Sequence, residues 1–564
     1  MLNPVKTAVK CCGCVVLSQL IGVLVSLGVL AAFVLVFYLY AVPWGEDRIR
    51  DALHLGSDVD IGSLNASVIA ANNCSGCVFG VNTDWPTNTT GALHFLDTSA
   101  GPTASAVIAT SLAAGAAAGV GSMLWASFFP SAASVMSFSS GFYEMTHIVE
   151  QAQFIGMISQ LQIDGAPVFL HQFSREMAWT NFNVPKSITD RFSSTSRRRL
   201  ESSSLLSTTA SGETGPKRYA DLIGVSPERL FFYTLLSFAI VVGAIHVLYI
   251  IGVAIFSMLS KKESFGQVAA KLYQKVIWAC ILALLLAQYI FSMAGSYYIY
   301  QNADSSDRDS YFVWGTIGLI VVVGFALVFG VLIISANRKE LEDIGTFEHD
   351  QRPFSAKYGP YYDEYNFDNR FFFVPRILLA VSTGAVVGTI QNGTTQLLCI
   401  LGITMLYLML LLVREPNLLR FLYYIGITSV FMKVVLVCMM LMLVQDDYFP
   451  QSVRDNVAYG IIGVNIFIFF LLFLRQAYTI IHKLVRGCKN KKNTRDRATS
   501  DEVINLENGN GLPRNPPPYS RLESTASYNN KAAQTPVQNT NGAMAANTGF
   551  TNNQTNQQFG RGNA

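Results

Sequence analysis

Apolar residues in this 564-residue chain arrive in blocks of roughly 20 to 30. A helix rises 1.5 Å per residue, so each block matches a bilayer hydrocarbon core of about 30 Å. Length alone would suit three or four soluble domains. Composition argues otherwise: charged residues are 14% of the chain, against about a quarter in soluble proteins. The fold class expected is all-α, a polytopic helical membrane protein, and a soluble enzyme is excluded. Net charge is +3, too small to suggest a nucleic-acid partner.

The apolar runs place about ten spans, near 15–42, 103–129, 133–157, 230–260, 272–299, 312–336, 371–390, 395–413, 421–445 and 457–482. The first follows Lys6 and Lys10, but its apolar core of about 27 residues exceeds that of a cleaved signal. It reads as a retained signal anchor over residues 1–42. Lys and Arg collect on the cytoplasmic side of spans. Lys261 and Lys262 follow the fourth span, Arg338 and Lys339 the sixth, Arg414 and Arg420 flank the link after the eighth, and Lys483, Arg486 and Lys489 follow the tenth. Three N-x-[ST] acceptors, Asn65, Asn73 and Asn88, lie in 43–102, which the same alternation puts outside. Both termini are then cytoplasmic. Parity requires one crossing between 130 and 229, and only the polar third span is long enough.

The remaining organisation follows. Segment 43–102 is a small extracytoplasmic piece, whose Cys74 and Cys77 read as a local disulfide or as unpaired thiols. Residues 103–485 form the membrane domain, with an outside loop at 158–229 and a cytoplasmic linker at 338–370. Residues 486–564 are a disordered tail, rich in Asn, Gln, Thr and Gly. Cys11, Cys12 and Cys14 beside the first span are S-acylation candidates. Pro516, Pro517 and Tyr519 belong to a PPxY motif of the kind WW domains bind.

Ionisable residues inside a span are costly and by default mark a pathway. Glu144, His147 and Gln151 share one face of the third span, with Glu150 some way round. They read either as a cation-attracting stripe or as a polar cluster joining helices. No other span offers the further ligands a metal centre needs, so no metal or cofactor is expected. Lys433 sits at the middle of the ninth span, too deep to reach either surface. The acids at comparable depth are Glu144 and Glu150, so the third and ninth spans should be close, with Lys433 facing one of them or a polar cavity they share. The alternative is bonding to carbonyls or to Ser429. Gly115/Gly119 and Gly384/Gly388 have the spacing of close helix contacts. Tyr358, Tyr361, Tyr362, Tyr365 and Arg376 lead into the seventh span, as an interfacial belt, a gating linker, or both.

Three stretches carry a family resemblance: QAQFIGMISQLQIDG…FSREMAWTNFNVP (151–185), IGVSPERLFFYTLL (223–236) and KYGPYYDEYNFDNRFFFVPRILLA (357–380). They resemble the fungal and oomycete TRP-like membrane family, which includes flavin-carrier and polycystin-like proteins, over roughly residues 100–485. The resemblance implies ion conduction, chiefly of calcium and other cations, or movement of flavin or haem across endomembranes. Two departures stand out. The family usually has a cleaved signal and a larger luminal domain, where this chain has an anchor and about 60 residues; it also carries more charge at the start of the seventh span, where this chain has Arg376 alone.

The leading expectation is a cation channel lined by its own helices, because the links near 391–394 and 446–456 are too short for a re-entrant pore helix and filter. The alternatives are a flavin, haem or other solute carrier, and a non-transporting scaffold for WW-domain proteins. No nucleophile–base pair or phosphate loop suggests an enzyme. Expected partners are the lipid bilayer, cations or a small solute, a WW-domain protein and further copies of the chain, in the plasma membrane or a secretory or vacuolar membrane. The orientation is directly testable. Asn65, Asn73 and Asn88 should carry glycosidase-sensitive mass, while an epitope beside Lys489 or Tyr519 should be reached only after the opposite side is permeabilised.

Overall fold

The computed structural model describes residues 90–113, 138–183, 214–259, 265–303, 310–345, 352–418, 420–445 and 448–478, with 43, 47, 50 and 349 as single positions. These lie in Met1–Asp496, the first of two compact units. The first apolar block, Cys11, Cys12, Cys14, Cys74, Cys77, the three sequons, Gly115, Gly119 and the PPxY motif fall outside the described residues.

The described chain is helical. Its main elements are α1 (Phe138–Ile158), α2 (Val168–Arg175), α3 (Gly215–Ile223), α4 (Leu230–Leu259), α5 (Phe265–Leu286), α6 (Gln288–Asn302), α7 (Ser310–Ala336), α8 (Phe373–Thr389), α9 (Gly393–Arg414), α10 (Arg420–Val444) and α11 (Gln451–Tyr478). Among the described residues seven helices are long and apolar enough to cross a membrane, and they correspond to the fourth through tenth expected spans. The helices α4 and α7 leave wide apolar faces exposed, as at Leu248 and Ile320, which suits contact with lipid.

The helix α1 is different. Ile148, Gln151, Ala152, Ile155, Ile158, Ser159 and Gln160 are all fully buried, so it is enclosed by protein on several sides. That explains its polar composition: each polar group there can find a protein partner in place of lipid.

The fifth expected span is two helices, not one. The helical run is interrupted at Ala287, which separates α5 from α6. The Gln288 side chain turns back to donate to the Leu284 carbonyl at 2.8 Å, and the Leu286 carbonyl accepts from Gln153 Nε2 of α1 at 2.9 Å. Side chains that bond ladder carbonyls are a recognised way of disturbing the regular helix.

The short α6 packs backbone to backbone on α8. A Cβ on Gly384 would lie 2.5 Å from the Tyr289 carbonyl oxygen, and one on Gly388 the same distance from that of Met293. Ser292 donates to the Val381 carbonyl at 2.6 Å across the same seam. Small residues are what allow such an approach.

Past α1 the chain folds back over the end of the bundle. The segment 158–229, expected as an outside loop, is a cap whose described residues are largely buried, with Asp164, Lys217, Asp221 and Glu228 left exposed. Arg218 of α3 donates to the carbonyls of Leu161 (2.7 Å) and Ile163 (3.0 Å), and Arg454 of α11 to that of Gly165 (3.1 Å). Burial lowers the Arg218 pKa to about 10, with Asp164 opposing the shift. The backbone NH of Gln162 donates to Gln396 of α9 at 2.9 Å. The Ser/Thr-rich part with Arg197, Arg198 and Arg199 is outside the described residues.

The glycine seam generates a contrast. Gly384→Ala and Gly388→Ala should each destabilise by about 1–3 kcal/mol, the range for overpacking. Gly402→Ala, where a Cβ meets nothing within 4 Å, should be neutral or stabilising by up to about 1 kcal/mol. Thermal unfolding in detergent separates the cases.

Candidate functional site

The tyrosine-rich linker does more than border the membrane. Pro353 opens a short helix to Tyr358, and a tight turn follows at Gly359–Tyr361. Tyr361 and Tyr362 are fully buried. The Tyr361 ring packs edge-on to Phe373 at 5.0 Å and occupies the space a side chain at Gly330 of α7 would need. Tyr365 lies against Phe372 at 5.5 Å, and Phe329 of α7 contacts Tyr358. The linker is also stitched to the link after α9: Asn366 NH donates to the Pro416 carbonyl at 2.9 Å, and Leu418 NH to that of Glu364 at 3.0 Å. Apolar packing and backbone pairing therefore hold Glu364 in place under the bundle.

Glu364 is the centre of a charge network. His147 Nε2 of α1 lies 2.7 Å from its Oε1, and Arg376 Nη1 of α8 lies 3.0 Å from its Oε2. Arg475 of α11 is 3.9 Å away. Arg376 also grips Glu150 of α1, at 2.7 Å through Nε and 2.5 Å through Nη2. His147 Nδ1 approaches Glu150 at 3.8 Å. Burial by itself would raise the Glu364 carboxyl. The adjacent His147 and Arg376, with Arg475, overcome that and hold it well below the usual carboxylate range.

This network forms one wall of a cavity of about 200 Å³ among α1, α5, α8, α9, α10 and α11. Phe154, Leu285, Leu379 and Ala380 supply apolar surface; Thr383, Thr404, Tyr407 and Ser429 supply hydroxyls. Lys433 lines the same cavity as Glu150, and its ammonium lies 5.5 Å from the centroid of the Phe154 ring. Among the described residues it has no carboxylate within ion-pair distance, because Arg376 occupies Glu150. The aromatic contact contributes about 0.5–2 kcal/mol. A mid-span lysine costs about 2.5–3.5 kcal/mol on insertion scales. The contact therefore offsets the cost only in part.

The residues singled out from sequence separate into groups. His147 and Glu150 join the network with Arg376 and share the cavity with Lys433. Gln151 points elsewhere, donating to Asn465 Oδ1 of α11 at 2.8 Å, so it glues helices. The Glu144 side chain is outside the described residues; its helix position is ten residues from Phe154, about 15 Å along the axis. Tyr365 and Tyr407 line the cavity, and Tyr361 and Tyr362 brace the linker. Glu364 and Arg475 were missed. Glu364 lies in the linker 338–370 and Arg475 within the tenth expected span, and neither carries a motif or spacing that marks it.

A family model described as transient receptor potential (TRP) ion channel matches residues 100–504. No curated protein and no solved structure matches the chain.

Two outcomes test the network. Arg376→Gln leaves Glu150 and Glu364 with too little positive charge and should destabilise by about 3 kcal/mol, with partial rescue on adding Glu150→Gln. Glu364 has a depressed pKa in the fold. Its stabilisation is then complete above the unperturbed Glu value of about 4.3 and is lost only as pH falls through the depressed value. Glu364→Gln should remove that acid-side dependence from thermal unfolding curves.

Proposed function

Since the chain belongs to the transient receptor potential ion channel family, we propose that it is a cation channel, calcium included, whose pathway runs between its own membrane-spanning helices. One observation carries this reading. The links joining the last four helices are 390–392, 415–419 and 445–450, each too short for a re-entrant helix and filter. A route for ions must then pass between helices, where the polar-walled cavity lies. With Arg376 bridging Glu150 and Glu364, the carboxylates are occupied, which is the arrangement of a shut pathway. Opening separates Arg376 from them and exposes acid to the cavity. The linker carrying Glu364 is the part that moves.

The same reading has ten spans and both termini cytoplasmic, with the linker end of the bundle inside and the cap outside, as the Lys and Arg distribution favours. Recruitment of a WW-domain protein through Tyr519, and assembly with further copies, remain compatible additions. A carrier of flavin or haem is less well supported: about 200 Å³ is below the roughly 300–1,000 Å³ of sites for such ligands.

Purified protein in liposomes should pass cation-selective current. Arg376→Gln should raise the open fraction, and Glu150→Gln should lower cation-over-anion selectivity. Folded protein that is electrically silent, or that takes up solute saturably without unitary current, would overturn the proposal.

A further inference from the structure

We propose that the cavity beside Lys433 binds a long-chain carboxylate, with the Lys433 ammonium as counter-ion of the head group. Beside His147, which is bonded to Glu364, three cationic side chains line the cavity, Arg376, Lys433 and Arg475, against two carboxylates, Glu150 and Glu364. Ion pairs within the network tie both carboxylates to Arg376 or Arg475. Lys433 is left as the surplus charge, and its contact with Phe154 compensates it only in part. A half-buried ammonium with no carboxylate beside it attracts an anion. One ammonium outside the ion pairs suits a monoanion, whereas a head group with several phosphates would bring more negative charge than it can neutralise.

The lining matches an amphiphile. Ser429, Val430 and Lys433 stand three, four and seven residues after Gly426 on α10, so the four form one stripe, and all four face the cavity. Ser429, one turn from Lys433, can donate a second hydrogen bond to a carboxylate. A Cβ on Gly426 would meet nothing within 4 Å, so open space lies beside the stripe where a chain can run. Leu379 and Ala380 line the cavity on α8 and are themselves part-exposed. The carboxylate end can therefore sit in the cavity while the apolar tail leaves past them toward lipid. Binding does not require conduction, so this proposal and the channel reading fail separately.

The test is equilibrium binding of radiolabelled oleate to the full-length protein in neutral-lipid nanodiscs, with inorganic phosphate and phosphatidylglycerol as competitors. Oleate should bind saturably and resist inorganic phosphate. Lys433→Gln should weaken it at least tenfold, and Lys433→Arg should retain it. Gly426→Leu, whose Cβ meets nothing within 4 Å and whose side chain takes up the space beside the stripe, should abolish binding while thermal unfolding shows the fold intact. Equal oleate binding by wild type, Lys433→Gln and Gly426→Leu would overturn the proposal, as would the absence of saturable binding. Stronger competition by phosphatidylglycerol than by unlabelled oleate would overturn the assignment to a single-chain carboxylate.

Discussion

Arg376 holds two carboxylates that arrive from different parts of the chain. Glu150 comes from the enclosed helix α1 and Glu364 from the linker, while Arg376 stands near the start of α8. Its planar guanidinium offers several donors in a fixed fork, which a lysine could not reproduce. One side chain therefore sets the depth of α1, the position of the linker and the rotation of α8 together. His147 and Arg475 complete the balance on Glu364. Where ionised groups leave water, either the full set is present or the exposed remainder is expensive. This makes the network a natural element with two arrangements, closed by Arg376 or opened by its departure.

The rest of the bundle supports that element from both directions. At the linker end, Tyr361 fits the gap at Gly330 and packs on Phe373, so movement of the linker must repack α7 and α8. In the middle, α6 and α8 touch backbone to backbone through Gly384 and Gly388, leaving little freedom for sliding. At the far end, Arg218, Arg454 and Gln396 bind the cap by its own backbone groups. The interruption at Ala287 belongs to the same scheme, since Gln153 of α1 donates to the Leu286 carbonyl. The enclosed α1 is thus hydrogen-bonded to its surroundings through His147, Glu150, Gln151 and Gln153.

Much of this architecture was legible in the residues. Blocks of apolar residues of bilayer length specify helices and their approximate limits, because backbone groups in lipid have no other partner than their own helix. Seven of the expected spans coincide with described helices for that reason. Gly384 and Gly388 announced a close contact through their spacing, and the polar third span announced protein surroundings through its cost in lipid. The interruption in the fifth span was hidden: Gln288 and the distant Gln153 bond carbonyls on either side of it.

Partner identity belonged to the tertiary structure. Charge balance judged within spans pointed from Lys433 to Glu144, Glu150 or a polar cavity shared with them, and Lys433 and Glu150 do line one cavity. Folding brings Glu364 under the bundle, where it and Glu150 share Arg376 and leave Lys433 with an aromatic ring and a cavity. The sequence by itself determined which groups are too costly to face lipid, because transfer cost depends on residue type and depth. Only the tertiary structure decided which group answers which, because a pairing energy depends on distances of a few ångströms between segments far apart in the chain.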